Sequence, residues 1–225
     1  MMLQLISKKI FVYLLLFFFL GTVNNYSILS SSLPKINNVE IYGVNLNEQD
    51  KIMRIIENSN IKNIFSINQL NLKNNFNNIN FIEKFEIFKI YPSTLKIEIK
   101  KTKLVAITKQ DGIDYFIGSN GKLIKKNDSI LKLPYVFGDL DTEEFIIFKK
   151  QIDESDFNFN QISNLYFYKS KRWDIKTTKG NIIKLSKKNI EKNLNLFERL
   201  SKENKFKDSS IIDFRQKNQI ILNEQ

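Results

Sequence analysis

Alternating apolar and polar residues mark two strands in the first half of the chain, separated by a proline. In the segment FEIFKIYPSTLKIEIK, apolar Leu95, Ile97 and Ile99 alternate with charged residues, which is typical of a half-buried strand. A second apolar run precedes Pro92. Because proline has no backbone N–H to donate to a sheet, Pro92 marks the connection between the strands. The pattern predicts a β-hairpin.

A short strand and two helices are predicted before this hairpin. The segment VEIYG predicts a strand that ends in a turn at Gly43. Asn47 is a candidate N-cap for a helix that has Asp50 in its first turn. The apolar positions with helical spacing are Ile52, Ile55 and Ile56 in this helix, and Leu72, Phe76 and Ile79 in the next. The order β-α-α-β-β predicts a small α/β module with these positions in its core.

The second half of the chain has the pattern of a mainly β domain. DYFIGSNGKLIKK predicts a hairpin in which Asn120–Gly121 supplies the positive φ angles, and RWDIKTTKGNIIKL predicts another with a turn near Lys179–Gly180. Apolar residues between Ile190 and Leu200 predict one amphipathic helix. The segment SSIIDFRQKNQIIL predicts two closing strands, with a turn near Lys217–Asn218.

The N-terminus is apolar, and its length supports two interpretations. The uncharged run Ile10–Val23 is about 14 residues, or about 21 Å as a helix, which is typical of the apolar part of a cleaved signal peptide. The sequence remains uncharged to Leu29, which gives about 20 residues and the roughly 30 Å of a membrane core. No A-x-A-like cleavage site follows. We therefore predict an anchor over 10–29, while a cleaved secreted protein remains the alternative.

The distribution of charge predicts the orientation of this anchor. Lys8 and Lys9 precede the apolar run, and the next charged residue after it is Lys35. The positive-inside rule places a tail over residues 1–9 in the cytoplasm and the rest of the chain outside, after a linker over 30–36. The net charge of +11 then does not indicate nucleic-acid binding, because the basic domains never meet nucleic acid.

Composition argues against an enzyme and against the usual metal sites. The chain has neither histidine nor cysteine. These absences exclude Ser-His and Cys-His nucleophile pairs and the common zinc sites. No S-x-x-K or G-x-S-x-G motif stands in a setting that would support catalysis. We expect no catalytic residue, no metal and no cofactor.

The order and spacing of several motifs resemble the FtsQ/DivIB family of bacterial cell-division proteins. In the first module, the residues that match the POTRA domain of that family are Phe81, Ile82, Phe85, Ile87, Lys89, Pro92, Leu95, Ile97, Ile99 and Ala106. In the second, the matches are Leu133, Pro134, Gly138, Arg172, Trp173, Gly180, Leu185 and the segment IDFR, Ile212–Arg215. Three positions depart from the pattern: Phe81 replaces a tryptophan, Lys101 an acid and Leu104 a proline.

The resemblance implies an architecture and a function. It implies a POTRA domain over 37–104 and a β domain over 105–225, behind a single transmembrane helix. It also implies a non-enzymatic scaffold at the division septum, in the cell inner membrane with periplasmic domains. The expected partners are FtsB-like and FtsL-like proteins, with the POTRA domain as a contact surface for other division proteins. In the family, the FtsB segment adds beside the last strand of the β domain. The implied binding edge is a terminal strand with Gln219, Ile220, Ile221 and Leu222, entered through Gln216 and Asn218. Arg172 matches a family position that pairs with an acidic residue of the partner.

Alternatives accompany these assignments. Arg172 would also fit a solvated surface cation, and Ile220 and Leu222 would also fit plain core packing. A different function, that of a POTRA-bearing chaperone or transport component, usually involves several POTRA units or a following membrane barrel. This chain has one such unit, and no series of barrel strands follows it in the sequence.

Overall fold

The computed structural model of the chain describes residues 8–22, 34–59, 61–127, 129–203, 205–206, 209–216 and 219–224. The chain divides into two compact units. The first comprises residues up to Asn77 together with Phe85–Ile99, and the second comprises Asn78–Lys84 together with the chain from Lys100 onward.

The described residues of the first part of the chain form three α-helices and a three-stranded sheet. Its elements are α1 (Lys8–Thr22), β1 (Asn38–Tyr42), α2 (Leu46–Asn58), a 3-10 turn (Ile64–Ser66), α3 (Gln69–Asn77), β2 (Ile82–Ile90) and β3 (Thr94–Lys101). The strand order is β1-β3-β2, and β1 runs parallel to β3. The β-α-α-β-β order and the hairpin around Pro92 are therefore confirmed.

Helix α1 covers only part of the predicted anchor. It has 15 residues, and its side chains from Ile10 to Leu20 are apolar and exposed. Residues 23–29 of the predicted anchor, and most of the predicted linker, lie outside the described residues. Among the residues that the structure describes, no helix combines the length and the apolar character that crossing a membrane requires.

Most of the predicted apolar positions of α2, α3 and β3 lie in the core of the first unit, but two do not. Ile55 is only half-buried, and Ile79 lies beyond the end of α3, in the segment that belongs to the second unit. The buried members of the core include Ile52, Ile56, Leu72, Phe76, Leu95, Ile97 and Ile99. Gly43 follows β1 with a φ of 87°, and a Cβ atom there would lie 1.9 Å from the carbonyl oxygen of Ile99. Both the backbone angle and this close approach therefore require glycine.

The predicted cap of α2 is wrong by two residues. The N-cap is Asn45, whose side chain accepts a hydrogen bond from the backbone N–H of Glu48, while Glu48 accepts one from the backbone N–H of Asn45. This reciprocal pair satisfies two N–H groups that a helix start leaves without partners. Asn47 lies inside the helix, and Asp50 lies beyond its first turn.

In the second part of the chain, the residues that the structure describes form a nine-stranded sheet and two α-helices. The elements are β4 (Leu104–Gln110), β5 (Ile113–Gly118), β6 (Leu123–Lys125), β7 (Tyr135–Phe137), α4 (Thr142–Asp153), a 3-10 turn (Phe159–Gln161), β8 (Ile162–Phe167), β9 (Trp173–Thr177), β10 (Ile182–Lys184), α5 (Ile190–Lys202), β11 (Ser209–Asp213) and β12 (Ile221–Glu224). The strand order is β12-β11-β10-β9-β8-β7-β4-β5-β6.

The prediction of a single helix in this domain is wrong, because α4 is a second one. Asp141 caps α4 by accepting a hydrogen bond from the N–H of Glu143, and Phe145, Phe148 and Ile152 on one face are buried. The apolar faces of α4 and α5 share one core with Leu165, Ile175, Ile183 and Ile212 from four adjacent strands. Strand register places these four residues in one row, so both helices cover the same face of the sheet.

The hairpin at Asn120–Gly121 is confirmed, but Asn120 has another role. Gly121 has a φ of 76°, whereas the φ angle of Asn120 is not positive. The Asn120 amide instead donates hydrogen bonds to the carbonyl oxygens of Asn80 and Ile82. The predicted turn near Lys179–Gly180 is also confirmed, and Gly180 has a φ of 96°.

Candidate functional site

The closing strand β12 lies at one end of the nine-stranded order, with β11 as its neighbour. The two strands are antiparallel, and Asp213 and Ile212 pair with Ile221 and Leu222. Ile221 and Leu222 are 49% and 43% exposed. An outermost strand presents backbone N–H and C=O groups on its outer side, where another extended segment can pair with them.

The predicted closing strand began too early. Gln219 and Ile220 precede β12, which starts at Ile221 and continues to Glu224. Ile220 is partly buried against the core, as the alternative interpretation of plain packing predicts, whereas Leu222 is about half exposed. Asn218 and the predicted turn around it lie outside the described residues.

Three of the predicted residues lie together in a groove between the start of α5 and the approach to β12. Gln216, Gln219 and Ile220 line this groove. Its other described lining residues include the cations Lys187, Lys188, Lys192 and Arg215 and the apolar residues Leu196 and Phe214. None of the described residues that line it is acidic. We call it the basic groove; its apolar and cationic lining suits an acidic, partly apolar segment.

Arg172 does not lie in the basic groove. It precedes β9, which is separated from β12 by two strands, or about 14 Å across the sheet. Its guanidinium carbon lies 5.3 Å from the centre of the Tyr168 ring, and its Nε atom is buried without a hydrogen-bond partner among the described residues. Arg172 is thus held against an aromatic ring and is not a freely solvated cation.

A row of polar side chains crosses the face of the sheet opposite α4 and α5 and ends at the apolar Ile221 on β12. Strand register aligns Tyr166, Asp174, Lys184, Asp213 and Ile221 from β8 to β12. The side chains in this row face away from the two helices, because successive residues of a strand alternate between faces. The row connects the surroundings of Arg172 with the closing strand.

The two aspartates of this row are in different electrostatic environments. Burial raises the pKa of Asp174, against the hydrogen bond from the Tyr168 hydroxyl and the charge of Lys184. Burial would also raise the pKa of Asp213, but hydrogen bonds from Arg215 outweigh it and lower that pKa. The Arg215 Nε atom lies 2.8 Å and 2.9 Å from the two Asp213 carboxylate oxygens.

The sequence reasoning missed this row and the lysines of the basic groove. Asp213 and Arg215 were identified only as part of the IDFR motif, and no function was predicted for Asp174. Alternation along β9 puts Asp174 on the face opposite Ile175, and that signal was available in the sequence. The sequence pattern does not indicate which strands are neighbours in the sheet, and therefore does not indicate which charged side chains lie side by side.

This arrangement is suited to holding a polypeptide. It combines an outermost strand, exposed aliphatic side chains and a cationic groove. Among the described residues, no cluster of histidine, cysteine, aspartate and glutamate side chains could hold a metal ion.

Comparison with known proteins gives two family matches. A family model described as cell division protein FtsQ/DivIB, C-terminal, matches residues 106–215, and one described as POTRA domain, FtsQ-type, matches residues 35–101. The structure is also similar to the major extracytoplasmic domain of the trans isomer of the bacterial cell division protein DivIB from Geobacillus stearothermophilus. That similarity has 12% sequence identity and a TM-score of 0.35, and covers 44% of this chain and 91% of that one. No curated protein sequence matches the chain.

Proposed function

Because this chain belongs to the FtsQ/DivIB family of cell-division proteins, we propose that it is a membrane-anchored scaffold of the division septum. In this proposal it recruits FtsB-like and FtsL-like proteins and performs no catalysis. Residues 37–104 form its POTRA domain and residues 105–225 its β domain.

The position of β12 is the observation that carries the proposal. The strand lies at the end of the sheet order, and Ile221 and Leu222 are about half exposed. An FtsB-like segment adds to this strand through backbone hydrogen bonds, and its side chains contact the exposed aliphatic residues. Strand addition of this kind needs no preformed pocket.

Charge supports a partner segment with acidic residues. The basic groove adjoins the approach to β12. Because Arg215 forms an ion pair with Asp213, the positive charge available to a partner comes mainly from Lys187, Lys188 and Lys192. Arg172 receives a second acidic side chain at the other end of the polar row. Charged groups at such positions chiefly set specificity and the rate of association.

The N-terminal segment supports the proposed location. The side chains of α1 from Ile10 to Leu20 are apolar and exposed, and the sequence remains uncharged as far as Leu29. We propose that residues 10–29 cross the inner membrane once. The short tail over residues 1–9 then lies in the cytoplasm, and both folded units lie in the periplasm.

Purification of the tagged full-length chain from detergent-solubilised membranes tests this function. Co-purification of FtsB-like and FtsL-like proteins is the expected result. Recovery of unfolded β-barrel precursors in their place would support the alternative, a chaperone or transport component, and would contradict the scaffold. A Lys125→Pro variant, altered at the other end of the sheet order, should retrieve the same partners as the unmodified chain.

A further inference from the structure

Two aromatic side chains are exposed together at one end of the first unit. The ring centres of Phe65 and Tyr91 lie 5.2 Å apart, although one ring belongs to the 3-10 turn and the other to the connection between β2 and β3. They are 54% and 59% exposed, and the adjacent Ile90 is 44% exposed. We call Phe65, Ile90 and Tyr91 the aromatic tip. Clusters of exposed apolar side chains commonly mark contact surfaces.

The turn that carries Phe65 is held firmly, so the exposure of this ring is built into the fold. Asn63 is buried, and its side chain accepts a hydrogen bond from the backbone N–H of Ser66, while the Ser66 hydroxyl accepts one from the N–H of Asn63. Ile64 and Ile67, on either side, are buried. The turn thus anchors itself with two isoleucines and leaves the phenylalanine outside.

The aromatic tip lies at the end of the unit where the chain enters from the N-terminal segment. Lys35 forms an isolated bridge with Asn63, next to the turn that carries Phe65. The N–H groups of Asn37 and Asn38 donate to the carbonyl oxygen of Ser93, two residues after Tyr91. Residues 23–34 separate the end of α1 from this point, and a chain of that length spans at most about 45 Å.

Charge differs between the two ends of the unit. The segments that meet at the aromatic tip, 34–38, 61–71 and 88–94, contain Lys35, Lys62 and Lys89 and no acidic residue. At the opposite end, where β1 finishes and α2 begins, Glu48 and Asp50 follow the exposed Leu46, with Lys51 directly after them. The segments at the aromatic tip therefore contain lysines and no acidic residue, whereas the opposite end has charges of both signs.

We propose that the aromatic tip rests on the lipid surface from which the anchor emerges. Tyrosine is enriched at the interface between lipid and water, and attraction of lysines to anionic headgroups adds to the burial of apolar side chains there. This contact orients the first unit against the bilayer. The inference rests on the proposed membrane anchoring of the chain.

Fluorescence of single introduced tryptophans tests the contact in the full-length chain. The chain is reconstituted into vesicles of phosphatidylcholine and phosphatidylglycerol, with ordinary or brominated phosphatidylcholine. Phe65→Trp and Tyr91→Trp should lose emission in the brominated vesicles. Leu46→Trp, at the opposite end of the unit and 78% exposed, should not. The unmodified chain supplies the background from buried Trp173.

The outcomes separate this inference from the proposed function. If the chain resists extraction by alkaline carbonate but emission at positions 65 and 91 is equal in both lipids, the tip contact is wrong and the anchor stands. Equal loss at all three positions would likewise overturn the contact. Extraction of the chain by carbonate would overturn the anchoring and the contact with it. Lys35→Glu combined with Lys62→Glu should reduce the loss of emission, and an unchanged loss would overturn the role of the lysines.

Discussion

Asp174 and Asp213 lie in the same row across the sheet, and their pKa values are shifted in opposite directions. The lowered pKa of Asp213 adds stability above the pKa of an unfolded aspartate, about 4, and that stability is lost as the pH falls through the folded value. The raised pKa of Asp174 works the other way: its ionised form costs stability at neutral pH, and this cost disappears in acid. The ion pair of Asp213 is therefore the acid-sensitive element of the row.

Asp213→Asn should lower the free energy of unfolding at neutral pH by about 1.5–3 kcal/mol, because charge-assisted hydrogen bonds from Arg215 are lost. The difference from the unmodified chain should shrink below about pH 4. Fluorescence of Trp173, the single tryptophan, reports unfolding of this unit. An equal difference in acid and at neutral pH would contradict the assigned ion pair.

Arg172→Glu should weaken binding of an FtsB-like partner by about tenfold, or about 1.4 kcal/mol, if an acidic side chain lies opposite Arg172. Lys169→Glu is the matched control, because Lys169 is an exposed cation in the same turn. Binding titrations of both variants measure the effect, and a compensating charge reversal on the partner should restore part of it. If both substitutions weakened partner binding equally, Arg172 would contribute only through the overall surface charge, which would contradict a specific pair with an acidic side chain.

At the scale of the element, the buried face of β3 should dominate the stability of the first unit. Ile97→Ala should cost about 2–5 kcal/mol, because Ile97 is fully buried and truncation leaves a cavity. Ile90→Ala in the same sheet should cost about 0.5 kcal/mol or less, since Ile90 is 44% exposed. Calorimetric melting compares the two variants. Similar shifts would show that the buried face is wrongly assigned.

Elements whose apolar residues repeat with one regular spacing were predictable from the sequence. Elements that combine features of helices and strands were not. Alternation alone identified β3 with Ile97 on its buried face. The run FIIF in α4 combines aromatic and β-branched residues, which favour strands, and it concealed a helix that Asp141 caps. The order of strands in the sheet could not be predicted from local sequence patterns, because it depends on pairs that are distant in the sequence. For example, β10 pairs in parallel with β11, and α5 lies between them in the chain. The polar row of the candidate site depends on that long-range register.

At the scale of the whole molecule, the proposed topology makes both folded units accessible from outside the cytoplasm. A protease added to spheroplasts should digest the chain beyond Leu29 and leave the anchor in the membrane, because the positive-inside rule keeps only the short tail inside. Immunoblotting of a C-terminal tag measures the digestion, and a cytoplasmic protein serves as the control for intact cells. Protection of the tag in intact spheroplasts would contradict the topology.

Strand addition to β12 is the central claim about the assembled molecule, and proline can test it directly. Neighbouring residues of a strand point their N–H groups to opposite sides, so one of Ile221 and Leu222 presents its N–H to the outer side of β12. Proline at that position removes the donor and obstructs an added strand. Lys125→Pro is the matched control on β6, at the other end of the sheet order. Its N–H points away from β5, because the next residue, Lys126, donates to Asp114.

The decisive measurement is the dissociation constant of the complex between an FtsB-like partner and each of three variants: Ile221→Pro, Leu222→Pro and Lys125→Pro. Each variant must first show the same unfolding transition as the unmodified protein. We expect at least one folded β12 variant to raise the Kd about tenfold or more, while Gln219→Ala has a modest effect and Lys125→Pro has none. Unchanged binding by both folded β12 variants would place the interface elsewhere on the molecule.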